Sequence, residues 1–275
     1  MDKKGKALVT GANRGLGKAI ALELVSRGFE VIAGVRNPDA ASDLLEQARS
    51  LSGTLVLERM DMAALGDYQP PADLRILVNN AGYRGPYLPI EEAGMDEWRK
   101  TFDTNFFGLI DLTRRAIPAL RNHGHGMICN IGSLGAYVPL PFYSIYRTSK
   151  VAVAALSEGL RIELAPFGVR VIEIPIGGVD TDMLRTGIAH RPPEAIEYEL
   201  YRPMAQSQAA MSEAARTNAL APEIAARNVV DEMFRPGPLR RACDPNAVNG
   251  LPHIDATTEE ERLQGMLQKF GVESA

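Results

Sequence analysis

Two cysteines in 275 residues, Cys129 and Cys243, are too few and too far apart for a disulfide framework. No Cys/His spacing of the kind that grips zinc surrounds them, so no metal is expected. Long hydrophobic runs are missing: no stretch approaches the ~18 apolar residues of a membrane span. The opening Met1-Asp2-Lys3-Lys4-Gly5-Lys6 leads into a short apolar run without the small-residue cleavage site of a secretory leader. A basic excess is missing too. Thirty Lys and Arg against 34 Asp and Glu leave a formal net charge of −4, which argues against a general phosphate-backbone binder. These absences lead us to expect a cytoplasmic protein with neither a nucleic-acid nor a membrane partner. They leave room for a local basic pocket and a small-molecule substrate.

Hydrophobic residues, 45% of the chain, are ample for a core and come in short runs, each followed by a helical pattern. Ala7–Thr10, Glu30–Val35, Leu55–Met60, Ile76–Asn79, Gly126–Ile131 and Val169–Ile174 read as strands. Gly17–Arg27, Asp39–Ser50, Asp96–Arg121, Ser144–Ala165 and Ala221–Phe234 read as helices, with a kink or early stop expected at Pro118. This alternation predicts an α/β fold, a doubly wound parallel sheet with helices on both faces. From Arg185 to Ala215 the text turns rich in Ala, Pro, Gln and Met and reads as a helical insertion. Residues 1–245 are thus expected to form one domain, with 185–215 as a lid. Residues 246–275 form a polar tail with one weak amphipathic helix, packed on or beside it.

The first strand runs into Gly11-Ala12-Asn13-Arg14-Gly15-Leu16-Gly17 and then a helix. Glycines there permit a tight turn and close approach of a pyrophosphate, which the free N–H groups and positive end of the helix attract. At the end of the second strand a dinucleotide site that takes NAD places an acid for the ribose hydroxyl. Here Val35 and Arg36 stand instead, and Arg36, with Arg14 from the turn, suits a 2′-phosphate. The pattern selects NADP(H).

Tyr146 and Lys150, four residues apart on a predicted helix, share one face. A nearby ammonium favours phenolate, so Lys150 is expected to lower the Tyr146 pKa toward a range useful for proton transfer. Ser133, in the loop after the fifth strand, is placed to hydrogen-bond a substrate carbonyl. The i+4 partner of Tyr143 is Arg147, so Tyr143 reads as pocket wall.

Thr10-Gly11-x-x-x-Gly15-x-Gly17, Asn79-Asn80-Ala81-Gly82, Asn105, Ser133 and Tyr146-x-x-x-Lys150 occur together and in order. Over roughly residues 5–185 the chain resembles the short-chain dehydrogenase/reductase family. The resemblance implies a single Rossmann-type domain with a seven-stranded parallel sheet. It implies Tyr146 as general acid/base, Ser133 orienting the carbonyl, Lys150 on the nicotinamide ribose, and Asn105 holding a relay water. It places Asp61 and Met62 near the adenine, and Asn80, Ala81 and Gly82 beside the adenosine ribose. Gly11, Asn13, Arg14, Gly15, Leu16 and Gly17 are expected on the pyrophosphate side. Gly177, Val179 and Thr181 are expected at the nicotinamide, although Ile176 stands where the family usually has proline.

Residues 132–143 resemble the 17β-hydroxysteroid and retinol dehydrogenase branch, which implies a lipophilic ketone or secondary alcohol bounded by Tyr83, Tyr87, Leu134, Tyr143, Ile176 and Met183. Two other readings stay open, a non-catalytic NADP(H)-binding regulator and a nucleotide-sugar epimerase or dehydratase. The segment Ser144–Ala165 carries more apolar positions than one core-facing stripe needs, which predicts a homodimer or homotetramer.

Overall fold

The computed structural model describes residues 5–122, 124–181 and 194–272. Its sheet has six parallel strands: β1 (Lys6–Thr10), β2 (Glu30–Val35), β3 (Thr54–Arg59), β4 (Leu74–Asn79), β5 (Met127–Ser133) and β6 (Arg170–Ile176). Their order, β3-β2-β1-β4-β5-β6, is that of a dinucleotide-binding sheet, and it reverses between β1 and β4. Alternating strand residues feed two cores. Val9, Ala33, Val78, Cys129 and Ile172 pack toward α1 (Gly15–Ser26) and a later helix, Pro222–Phe234. Leu8, Ile32, Leu77, Ile128 and Val171 pack toward α4 (Gly108–Asn122) and α5 (Ser144–Leu164). Burial on both faces explains why these strands read as near-continuous apolar runs.

The remaining helices are α2 (Ser42–Ala48), α3 (Met95–Phe102), α6 (Arg202–Arg216), α7 (Pro222–Phe234), α8 (Pro245–Ala256) and α9 (Glu259–Lys269). None among the described residues is long and apolar enough to cross a membrane.

Three expectations need correction. The seventh strand shrinks to one bridge, Glu173 with Arg240, held by bonds of 2.8 Å to the Leu239 carbonyl and 3.0 Å from the Arg241 N–H. Pro238 has no N–H to extend that pairing, and the Arg241 guanidinium turns back onto the carbonyls of Pro238 (2.9 Å) and Gly237 (3.1 Å). Pro118 does not end α4, because the carbonyl it deprives of a donor lies on the exposed side of the helix. The break comes earlier, as a wide π turn at Asp103–Phe107. The tail holds two helices: Asp244 caps α8 by accepting from the Ala247 N–H, and Thr258 with Glu261 forms a capping box on α9.

Candidate active site

At the point where strand order reverses, the Thr10 hydroxyl accepts from the N–H groups of Asn80 and Ala81, both at 3.0 Å. The Asn80 amide donates to the carbonyls of Thr10 (2.9 Å) and Gly11 (3.3 Å). These bonds bolt the glycine turn to the end of β4. Gly11 and Gly15 have φ of +65° and +55°, which a side chain would strain. A Cβ on Gly17 would meet the Asn80 amide nitrogen at 2.3 Å and the Gly11 carbonyl oxygen at 2.4 Å. The first turn of α1 carries no acid, and Arg14 at its N-cap makes no side-chain cap, so the helix N–H groups face the crevice. Asn13 and Arg14 are exposed on the turn, while Leu16 points into the core. Across the crevice, Thr181 Cγ2 lies 3.1 Å from where a Gly15 Cβ would stand, and Val179 pairs with Leu220.

Other members of the expected set divide. Arg36 is exposed just after the buried Val35, and Asp61 is exposed past β3. Met62 is buried in the core, which leaves only its backbone for an adenine. Gly177 faces away from the turn: its N–H donates to Asp244 Oδ2 at 2.8 Å, and a Cβ there would meet Asn246 at 2.6 Å.

The chemistry-bearing residues converge. Ser133 ends β5, with its hydroxyl accepting from the Gly135 N–H at 3.1 Å. Tyr146 and Lys150 lie on the inner face of α5, both buried. Asn105, in the π turn, accepts from the Tyr83 N–H (2.7 Å) and donates to the Tyr83 carbonyl (2.8 Å) and to Ser149 Oγ (3.0 Å). Its side chain thereby clamps the loop after Gly82. A Cβ on Gly82 would lie 3.7 Å from Asn105 Oδ1 and 3.9 Å from Lys150 Nζ.

Lys150 is anchored to the backbone beside Tyr146. The ammonium donates to the Ile131 carbonyl at 2.9 Å and stands 5.8 Å from the centre of the Tyr146 ring. Burial holds the Tyr146 phenol above its ordinary value, and the cation pulling it down is Arg84, helped by a hydrogen bond with Ser133. Burial brings Lys150 itself down to about 8, against a smaller upward pull from Glu173.

Arg84 escaped the sequence reading, as did the way the expected pocket rings stack beside it. Its guanidinium lies 5.4 Å from the centre of the Tyr87 ring, Tyr87 stacks on Tyr143 at 5.3 Å, and Tyr143 meets Tyr146 at 5.0 Å. Ser133 lies within hydrogen-bonding reach of both Tyr143 and Tyr146. Tyr143 is therefore more than pocket wall. Phe142, just before it, has φ of +60°, the only positive value outside glycine among the described residues, and packs edge-on against Tyr201. Residues from the expected lid cover this cluster: Ala195 donates to the Tyr87 carbonyl at 3.0 Å and Gln208 to the Pro141 carbonyl at 2.7 Å. Leu134 meets α8, where a Cβ on Gly250 would touch it at 3.0 Å. Tyr83 departs from expectation, its hydroxyl donating to Glu97 at 3.0 Å and its ring beneath Lys100 at 4.2 Å, both on α3. Met183 lies outside the described residues.

A second unread group is Glu173, fully buried in β6. It accepts from the Tyr137 hydroxyl at 2.8 Å and from Arg240 Nε at 3.1 Å. It packs behind Gly132, one residue from Ser133.

Residues 5–191 match the short chain dehydrogenase family. The NADPH-dependent 1-acyldihydroxyacetone phosphate reductase of Schizosaccharomyces pombe is 33% identical over 74% of this chain and 70% of its own. The 11-beta-hydroxysteroid dehydrogenase A of Sesamum indicum is 34% identical over 62% of this chain and 52% of its own. Among solved structures, a short chain dehydrogenase from Burkholderia cenocepacia in complex with NADP superposes with a TM-score of 0.73. It is 28% identical and covers 97% of this chain and 99% of its own.

Proposed function

The chain belongs to the short-chain dehydrogenase family, a family of oxidoreductases, and on that premise we propose that it is an NADP(H)-dependent carbonyl reductase in which Tyr146 is the proton donor. One observation carries this reading: Ser133 at the end of β5 and Tyr146 and Lys150 on the inner face of α5 come together at the end of the crevice that opens on the glycine turn.

The residues fit the cofactor. The turn's left-handed glycines and the uncapped start of α1 form a cradle for the pyrophosphate, and Arg36 with Arg14 suits the 2′-phosphate. Lys150 would reach the nicotinamide ribose, and Thr181 the far edge of the ring's site. When bound, the nicotinamide supplies the hydride in reduction and takes it up in oxidation. Ser133 hydrogen-bonds the substrate carbonyl oxygen, and the Tyr146 hydroxyl gives that oxygen its proton. A phenol held above its ordinary value of about 10 is protonated at neutral pH, so Tyr146 has the proton that reduction requires.

The site supports an enzyme over a non-catalytic NADP(H)-binding regulator, since a binding module has no use for a buried Tyr146 against Ser133. For the substrate we infer a ketone or secondary alcohol with an apolar body, beneath the lid formed by residues of the 185–215 segment. The aromatic wall of Tyr87, Phe142 and Tyr201 supports that body. An outer face of α5 exposes Val151 and Ile162, and Phe107 is exposed on the π turn, which supports a homodimer or homotetramer packed through this helix. Light scattering at micromolar concentration should give two or four times the chain mass; a monomer would remove this assignment.

The decisive experiment compares Tyr146→Phe with Tyr143→Phe on any ketone the wild type reduces, following NADPH absorbance. Tyr146→Phe should still bind NADPH while turnover falls about 10²–10⁴-fold, the size of a lost general acid. Reduction by the wild type should be flat through neutral pH and fall only as pH rises through the Tyr146 value. Full activity in Tyr146→Phe would refute the reading, and its loss in Tyr143→Phe alone would transfer the proton to the other tyrosine.

A further inference from the structure

We propose that Tyr137 is a positioning residue, braced by the buried Glu173 and by Arg240, that holds the Ser133 hydroxyl in place for the substrate carbonyl. The inference rests on the reductase reading above and extends the site to residues beyond Ser133, Tyr146 and Lys150.

The sheet fixes Ser133 only as far as its backbone. β5 and β6 pair in register from Met127 with Arg170 to Ser133 with Ile176, and the ladder stops there. The hydroxyl depends on what comes next, a 3-10 turn at Leu134–Ala136 for which Ser133 is the N-cap. Ser133 Oγ accepts from the Gly135 N–H at 3.1 Å, so the hydroxyl moves if the turn moves. The turn also touches the substrate side: a Cβ on Gly135 would lie 2.8 Å from Tyr143 Cε1 and 3.3 Å from Ser133 Oγ. One backbone bond closes these three residues, from the Tyr137 N–H to the Leu134 carbonyl at 3.0 Å. So short a turn cannot hold itself.

Tyr137 supplies the missing hold. Its hydroxyl donates to Glu173, lying 2.8 and 3.0 Å from the two carboxylate oxygens. Arg240 Nε donates to that hydroxyl and, at 3.1 Å, to Glu173 Oε2. The Arg240 guanidinium lies 4.9 Å from the centre of the Tyr137 ring, and its far end pairs with Glu158 on α5. The end of the turn is thereby tied to β6, to the chain around Arg240 and to α5. Glu173 has no exposure, and glycine at 132 makes its room: a Cβ there would meet Glu173 Oε1 at 2.7 Å, one residue before Ser133. A buried carboxylate is a costly way to strengthen a sheet that its own ladder already joins, because an apolar side chain of similar volume serves at least as well. What the ionic brace adds is direction. It gives one phenol a fixed point, and that phenol closes the turn behind Ser133.

The test uses the full chain with NADPH and a ketone panel led by acetophenone and cyclohexanone. Tyr137→Phe removes one oxygen and keeps the ring. It should lower kcat about 10-fold on the ketones that the wild type reduces, with NADPH affinity unchanged, since the glycine turn and Lys150 are not touched. In a Ser133→Ala background the same change should cost nothing further, because the hydroxyl that it positions is gone. Glu173→Gln keeps an oxygen for the phenol and should stay within about threefold of the wild type. Full activity in Tyr137→Phe overturns the proposal. An equal loss with and without the Ser133 hydroxyl overturns it too, because Tyr137 would then serve the fold at large. A loss in Glu173→Gln as deep as that in Tyr137→Phe would mean that the carboxylate's charge acts by another route, and also overturns it. If no ketone in the panel is reduced, the reductase reading fails, and the brace is judged by hydrogen exchange. Exchange of the Gly135 N–H about 10-fold faster in Tyr137→Phe than in the wild type, with the amides of α1 unchanged, supports the proposal. Equal exchange in the two proteins overturns it.

Discussion

The two sides of Tyr146 are built from different materials. On the cofactor side, backbone carries the load: Thr10, Asn80 and Asn105 bond to main-chain groups, and Lys150 rests on the Ile131 carbonyl. On the proposed substrate side, Tyr87 and Tyr143 stack beside Arg84 and Phe142 packs on Tyr201, with residues from Glu194 to Gln208 over them. A backbone cradle suits a ligand whose shape never changes. A ring-and-charge pocket is tuned by single side chains, which lets one scaffold carry many specificities. Each side buries one cation, and the two respond differently. Burial pulls Lys150 down to about 8, whereas three phenols hold Arg84 above its ordinary value.

Removing the cofactor-side cation gives the larger effect. Lys150→Met should weaken NADPH binding and cut turnover by about 10²-fold or more, because the ribose loses its partner. It should also stabilise the fold. The folded-state value of about 8 lies below the unfolded 10.5. Between those limits the unfolded chain binds the extra proton, so stability rises with pH, and below 8 the full cost of the buried charge is present. That cost is about 3 kcal/mol before the lost bond to Ile131 is subtracted. Urea unfolding at pH 7 should therefore place Lys150→Met above the wild type, with the gap narrowing toward pH 10. A destabilised variant at pH 7 would mean that the hydrogen bond outweighs the buried charge. The smaller effect lies at the outer edge of the same side. Arg36→Ala should lower the preference for NADPH over NADH by about tenfold, or ~1.4 kcal/mol, in paired titrations. An unchanged ratio would shift the 2′-phosphate contact to Arg14.

Most of the cofactor side was legible because its signals are local. A glycine with positive φ, a strand running straight into a helix and an i, i+4 pair each occupy a few consecutive residues, and their geometry follows from their order. The sheet was legible for the same reason, strand by strand. The expected seventh strand failed on a local signal that had gone unweighed, the proline at 238. Pro118 misled in the other direction. Proline costs a helix less where the carbonyl it orphans can reach water, and exposure is not written in the segment itself.

The substrate side was not legible, because nothing in Tyr83-Arg84-Gly85 says where the guanidinium ends. Its neighbours come from position 87 and from 143 and 146 at the start of α5. Glu173 is a similar case, a carboxylate in an apolar strand whose partners, Tyr137 and Arg240, lie 36 and 67 residues away. The sequence by itself determined the six strands and the helices between them, where the glycine turn lies and which tyrosine carries a lysine one turn on, since each is a matter of neighbours along the chain. Only the tertiary structure decided which cation acts on Tyr146. Burial and charge act through space, and folding brings Arg84 to the phenol while it ties Lys150 to a carbonyl.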